Sequence, residues 1–312
     1  MPAALTVSSP QKSTTVRVNT AALRVTALRA AVGALQRVSP DRAAALALDL
    51  WSTPRRHRRP EREQEQLRSA QAFSFPTGDG RWLSGWSWGE GPCVLLVHGW
   101  EGRGAQLGEL VDPLLRAGFR VVTFDAPGHG DSPGTRATAF DLAEAALSAA
   151  RWVGGVHGVV AHSLGALATA LAMRDGLTTE RVALIAPTRG PQASFGMLGR
   201  LLGLSPATLE TLQARLAARS GLPWDDVAEG GVYRHLAARA LVVHDGADKE
   251  VPLSDGQYIA ARTGARLVVT EGLGHRRILK DEGVIERVAG FLAEGSAEAR
   301  ASWDPWRGFL FA

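Results

Sequence analysis

The sequence predicts an α/β fold: a mostly parallel eight-stranded sheet with flanking helices, a small helical cap insertion and an N-terminal helical extension. Two observations carry this expectation. Eight short runs suited to strands follow one another from residue 72, and the later ones are near-continuously apolar, the pattern of strands buried on both faces. Helical segments alternate with those later runs, which is how crossover helices build a parallel sheet.

The elements follow in order. Residues 20–38 and 41–51 place Leu, Val and Ala at helical spacing, with Ser39-Pro40-Asp41 as a break and N-cap, so two helices are expected. PRRHRRPERE (54–63) is charged and bracketed by prolines, and reads as a solvated linker rather than a phosphate-binding patch. AFSF (72–75) and WLSGWSW (82–88) flank Pro76-Thr77-Gly78-Asp79-Gly80, a turn signal that predicts a hairpin. Further strands are expected at 93–98, 119–124, 156–161, 182–186, 240–244 and 266–270. Leu107–Arg116, Phe140–Trp152, Leu164–Arg174, Asp255–Arg262 and Val284–Leu292 supply most of the helices. The stretch between the strands at 182–186 and 240–244 is far longer than a crossover needs and contains the helical 205–220. It predicts a cap inserted at about 187–236, within a main domain of residues 71–312 that follows an extension of residues 1–70.

Composition narrows the class. The 312 residues suffice for a large core, and a formal charge of +4 carried by scattered arginines argues against nucleic acid as the main partner. Cys93 is the lone cysteine, so no internal disulfide forms and a reducing compartment is permitted. No apolar run approaches the roughly 20 residues of a membrane span. Residues 1–40 hold Lys12, Arg17, Arg24, Arg29 and Arg37 without an acidic residue, a composition that mimics a transit peptide. An ordered helical extension is the preferred reading, and a cytoplasmic location is expected. The aromatic tail, Trp303 to Phe311, is read as packing on the N-terminal helices, with a partner surface or peripheral lipid contact through the tail or those helices as the alternative.

In an open parallel sheet, ligands bind beyond the carboxyl ends of the strands. Polar residues recur there: His98-Gly99-Trp100-Glu101-Gly102, Asp125-Ala126-Pro127-Gly128-His129-Gly130-Asp131-Ser132, Ala161-His162-Ser163-Leu164-Gly165, Asp245 to Pro252, and Glu271 to His275. Taken alone, Ser163 reads either as a nucleophile on a sharp turn or as a helix-capping serine. The five motifs together, in this order, resemble the α/β-hydrolase superfamily, and within it the simple serine esterase and serine-aminopeptidase-like branch. The resemblance covers roughly residues 72–295. Its nucleophile pattern is Gly-x-Ser-x-Gly. Ala161 departs from the first glycine and implies a more crowded turn, while Gly165 keeps the second.

The resemblance implies a Ser-Asp-His order. Ser163 would be the nucleophile and His275 the general base, the one histidine beyond the candidate acids. Asp248, in Asp-x-x-Val-Pro, would be the triad acid in preference to Asp245, which would brace the loop. The backbone N–H groups of Leu164 and Trp100 would form the oxyanion hole. His98, Gly99, Asp125 and Gly165 would be structural members of the motifs, as would His129. His162 adjoins Ser163 but is expected on the opposite face of its strand. Glu101, an uneasy neighbour for an oxyanion, is expected to point to solvent or to pair with an arginine such as Arg103. His57, His157, His235 and His244 have no motif context.

The expected activity is hydrolysis of a carboxylic ester or thioester in a small-molecule acyl substrate, through an acyl-enzyme and without metal or organic cofactor. The alternatives are a noncatalytic binding protein on the same fold, and a carbon–carbon hydrolase or acyltransferase using the same triad.

Overall fold

The computed structural model describes residues 20–295; the first 19 residues and the aromatic tail lie outside the described residues. Three helices lead the chain: α1 (Thr20–Val38), α2 (Pro40–Trp51) and α3 (Glu61–Arg68). The sheet is built from β1 (Gln71–Pro76), β2 (Trp82–Trp88), β3 (Cys93–Val97), β4 (Arg120–Phe124), β5 (Gly158–His162), β6 (Arg181–Ile185), β7 (Arg239–Asp245) and β8 (Arg266–Thr270). Helices α4 (Val111–Arg116), α5 (Ala139–Trp152) and α6 (Leu164–Arg174) connect β3 to β6. Between β6 and β7 lie α7 (Gln192–Leu202), α8 (Pro206–Ser220) and α9 (Trp224–Ala228), and the chain closes with α10 (Leu253–Thr263), α11 (Gly274–Arg277) and α12 (Glu282–Ala293).

The strands lie in the order β1-β2-β4-β3-β5-β6-β7-β8. β1 and β2 form the expected hairpin, β2 runs antiparallel to β4, and every pairing from β4 to β8 is parallel. Side chains alternate along each strand, so a continuous apolar run feeds two cores at once. Leu95, Val97, Val159, Ala161, Val182 and Leu184 face one core with the Ala-rich helices α5 and α6. Val94, Leu96, Val160, Ala183 and Ile185 face the other with α4 and α12. Burying each such Val, Leu or Ile side chain is worth about 1.5–3 kcal/mol. Among the parallel strands β8 is the exception to burial on both faces: it is an edge strand, as the antiparallel β1 is at the other side of the sheet, and Val269 is exposed.

Two other expectations change. The helix expected over Leu107–Arg116 begins as 3-10 turns at Gly104–Leu110 and becomes α-helical only from Val111. The charged stretch 54–63 is exposed over Arg55–Arg58, but it is pinned rather than free. Arg56 donates to the carbonyls of Gly130, Ser132 and Gly134, Arg59 bridges Asp125 and Asp131, and the stretch ends inside α3.

A third core joins α1 and α2 to the helices after β6, through Val32, Ala44, Ala47, Phe195, Leu202, Leu212 and Leu216. Gln36 ties the two groups. Its Nε2 donates to the carbonyl of Gly203, and its Oε1 accepts from the N–H of Ser205.

Candidate active site

The chain leaves β3 toward β4 on one side, then returns across the sheet to place β5 on the other side. The loops after β3 and β5 therefore part in opposite directions and leave a crevice at the carboxyl ends of the strands. The first loop carries His98-Gly99-Trp100 and the second carries Ser163.

Ser163 sits between β5 and α6 with φ 54° and ψ −120°, a conformation that costs a non-glycine residue of order 1–3 kcal/mol and persists only where surroundings enforce it. Its N–H donates to the carbonyl of Ile185, which fixes the turn. The side chain caps no helical N–H, so the helix-capping reading of Ser163 is not what the geometry realises. Small neighbours make room for the turn. A Cβ on Gly165 would lie 2.6 Å from the carbonyl oxygens of both Val97 and His98, and one on Gly99 would lie 2.9 Å from Cβ of Ser163. Ala161 is fully buried in the first core, so its extra methyl is accommodated there.

The structure brings the three distant residues together. Nε2 of His275 is 3.0 Å from Oγ of Ser163, and Nδ1 is 2.7 Å from Oδ2 of Asp248. With Nδ1–H donating to the carboxylate, Nε2 is the free acceptor for the serine hydroxyl. Asp248 also accepts from the N–H groups of Glu250 and Val251 through Oδ1. Burial pushes its carboxyl up, but the bonds from His275 and Val251 outweigh this and hold it below the usual carboxylate value. Asp245 is spatially distinct. Its carboxylate gathers the N–H groups of Ala247, Leu273 and Gly274 and the Thr270 hydroxyl, stapling the loop of Asp248 to the loop of His275. Burial raises its pKa, and the accepted bonds, led by that from Gly274, bring it below the ordinary value.

The N–H of Leu164 opens α6, where the first turn of a helix leaves its donors without intrahelical acceptors. No acceptor among the described residues takes the N–H of Trp100. Beneath this loop His98 donates from Nδ1 to the carbonyl of Gly99 and accepts at Nε2 from the N–H of Ala126. His129 donates to the carbonyl of Pro127 and accepts from the N–H of Glu101. Both rings are buried and neutral. Burial lowers His98 to about 4, and burial together with His98 lowers His129 to about 3. Asp125 accepts from the N–H groups of Gly104 and Asp131; burial raises its pKa.

Glu101 pairs neither with solvent alone nor with Arg103. Arg103 is bound by Glu63, while the Glu101 carboxylate accepts from the N–H of Arg55 and lies 3.5 Å from Nε2 of His57. His162 is closer to the site than strand geometry predicts. The chain turns sharply at Ser163, and Nε2 of His162 donates to the carbonyl of His275 at 3.0 Å. Burial, then the neighbouring His275, lowers its pKa to about 3. His244, which no motif singled out, packs fully buried behind the acid, 3.6 Å from Asp248 Oδ2, and donates to the carbonyl of Val251.

Above the crevice an aromatic series runs into the third core. Trp100 stacks on Trp51 at 6.3 Å, Trp51 meets Phe195 edge-on at 4.7 Å, and Phe195 stacks on Trp224 at 5.1 Å. Among the described residues, no group of three or more His, Cys, Asp or Glu side chains is arranged to hold a metal ion, and no helix is long and apolar enough to cross a membrane.

Comparison with known proteins agrees with this fold. The model of the alpha/beta hydrolase family matches residues 94–287. The chain is 30% identical to an uncharacterised protein of Mycobacterium tuberculosis (strain H37Rv), over 70% of this chain and 77% of that one. It is also 30% identical to a pimeloyl-[acyl-carrier protein] methyl ester esterase of Neisseria meningitidis serogroup B (strain MC58), over 60% of this chain and 86% of that one. Among solved structures, an esterase of Pyrococcus furiosus superposes with a TM-score of 0.60 at 18% identity, covering 77% of this chain and 98% of that one. From the family match, which spans the crevice and all three hydrogen-bonded residues, the chain belongs to the alpha/beta hydrolase family.

Proposed function

We propose that this hydrolase cleaves a carboxylic ester through an acyl-enzyme formed on Ser163. The observation that carries the reading is the unbroken hydrogen-bonded chain from Ser163 through His275 to Asp248, with its serine on a strained turn at a helix N-terminus. The pimeloyl-[acyl-carrier protein] methyl ester esterases among the relatives support an ester as the bond broken.

In the proposed cycle the Ser163 hydroxyl attacks the carbonyl carbon while Nε2 of His275 takes its proton. Asp248 holds the ring by Nδ1 and stabilises the imidazolium that forms. The N–H groups of Leu164 and Trp100 receive the developing oxyanion; losing one such donor costs about 2.7–4 kcal/mol of barrier. His275 returns the proton to the departing alkoxide, releasing the alcohol. Water then attacks the acyl-enzyme, its proton passing to His275 and on to Ser163, and the acid leaves. The half-buried Trp100, backed by Trp51 and the buried Phe195, offers an aromatic surface for the substrate on the cap side.

The test is turnover of p-nitrophenyl esters of increasing acyl length by the wild type and by Ser163→Ala. The reading expects ester hydrolysis that Ser163→Ala abolishes at unchanged thermal stability. Undiminished turnover in that variant would remove Ser163 from the chemistry. A folded wild type inert to every ester would favour a binding protein.

A further inference from the structure

The loop after β3 turns on an unusual residue. Glu101 follows Trp100 directly and adopts φ 53°, in the left-handed region where glycine is at ease and other residues are strained. Something must hold it there. Its N–H donates at 3.2 Å to Nε2 of His129. Its carboxylate accepts from the N–H of Arg55 at 3.2 Å and lies 3.5 Å from Nε2 of His57.

Arg55 and His57 belong to the segment after α2, which is itself fixed from below. The Arg56 guanidinium donates to three carbonyls of the loop after β4, at 2.7 Å to Gly130, 2.6 Å to Ser132 and 2.9 Å to Gly134. Arg59 bridges Asp125 and Asp131, and Asp125 in turn holds the N–H of Gly104. At the start of the segment, the Trp51 ring stacks on the Trp100 ring with only 16° between their planes. Trp100 is thus held through its ring by residue 51, and the residue that follows it is held through its carboxylate by the N–H of residue 55. Residues 51 and 55 both lie ahead of residue 94, where the family match begins.

We propose that residues 51–59 form a strap that sets the Trp100 N–H for the oxyanion, with Glu101 as the positioning residue that couples strap to loop. This rests on the esterase reading, because it assigns Trp100 the donor role. It also gives the Glu101 charge a partner outside the oxyanion hole, the N–H of Arg55.

The test separates positioning from stability. Glu101→Gly relieves the left-handed strain and removes the grip on Arg55, so folding is preserved while the loop is released. The strap predicts that kcat for a p-nitrophenyl ester falls at least about tenfold, short of the roughly 10²–10³-fold cost of deleting a donor outright, while KM stays within about twofold. Inhibition by phenylboronic acid, whose tetrahedral serine adduct presents an oxygen to the same donors, weakens in step with kcat. Glu101→Gln keeps an oxygen for the Arg55 N–H and recovers most of the loss. Arg55→Pro deletes that N–H and reproduces the glycine variant, and combining the two adds little. Glu101→Gly with wild-type kcat and boronate inhibition overturns the strap, as does a Glu101→Gln as impaired as Glu101→Gly. Either result leaves the esterase reading intact, provided Ser163→Ala is inactive. An active Ser163→Ala would instead overturn both.

Discussion

Gly165→Ala sets two physical effects against each other. Gly165 is the second residue of α6, and in a helix alanine is favoured over glycine by about 1 kcal/mol. Propensity alone therefore predicts a more stable protein. The structure predicts the opposite. The new Cβ would stand 2.6 Å from two carbonyl oxygens, those of Val97 and His98, and ordinary contact begins near 3.4 Å. One side must retreat by the difference between 3.4 Å and 2.6 Å, about 0.8 Å, and both neighbours are backbone at the end of β3, which is paired on both sides. Overpacking of this kind costs about 1–3 kcal/mol, so the net stability change is a loss of up to about 2 kcal/mol and a Tm lower by a few degrees. The effect on turnover is larger. If β3 retreats, the Trp100 N–H moves; if α6 retreats, the Leu164 N–H moves. Displacing either donor lowers kcat by up to about 10²–10³-fold. The assay is kcat and KM for a short p-nitrophenyl ester beside a thermal melt. A raised Tm with unchanged kcat would refute the close-approach argument.

Two further outcomes separate the roles of neighbouring groups. Asp248→Asn, which leaves His275 without its carboxylate, lowers kcat by about 10⁴-fold with a modest change in Tm. Asp245→Asn acts first on the melt, because weakening a charged hydrogen-bond hub costs about 1.5–3 kcal/mol, and its kcat loss is the smaller of the two. Acid melts test the buried histidines. His98, His129 and His162 have folded pKa values of about 4, about 3 and about 3 against an ordinary 6.5, so their neutral forms stabilise the fold above pH 6.5. That contribution is lost as pH falls from 6.5 toward these folded values, at up to about 1.4 kcal/mol per pH unit for each group. Asp248 and Asp245, held low, add a loss below their ordinary 3.8, while Asp125, pushed up by burial, works in the opposite sense. Tm should fall steeply from pH 6.5 to 4, and a flat profile would contradict the neutral-histidine assignment.

The parts of the molecule legible in the sequence are those where burial writes a pattern. Strands β3 to β7 show as apolar runs because both faces are covered, and Leu164–Arg174 is a helix at both predicted ends. Ser163 was legible because it stands at a strand end beside Gly165, where a close backbone approach leaves no room for a Cβ, while Asp248 and His275 were legible from the order of the motifs at the strand ends. What the sequence did not reveal has no such signature. EREQEQLR, the helix α3, buries only Leu67 and shows no apolar period; it packs through polar contacts, Glu63 to Arg103 and Gln66 to the Gly108 carbonyl. The partner of Glu101 is a backbone N–H, which residue type cannot announce. His162 escaped because alternation of faces holds along a strand and fails where the chain turns, at Ser163. The joining of α1 and α2 to α7 and α8 depends on contacts across more than half the chain, and only the folded structure shows which apolar faces meet.

The central claim is that Ser163 is the nucleophile activated by His275. A fluorophosphonate probe tests it most directly, with the modified residue located by peptide mass spectrometry. The account predicts a single adduct on Ser163, lost in Ser163→Ala and strongly slowed in His275→Ala. Ester turnover without that adduct, or an adduct at another residue with Ser163 unmodified, would contradict it.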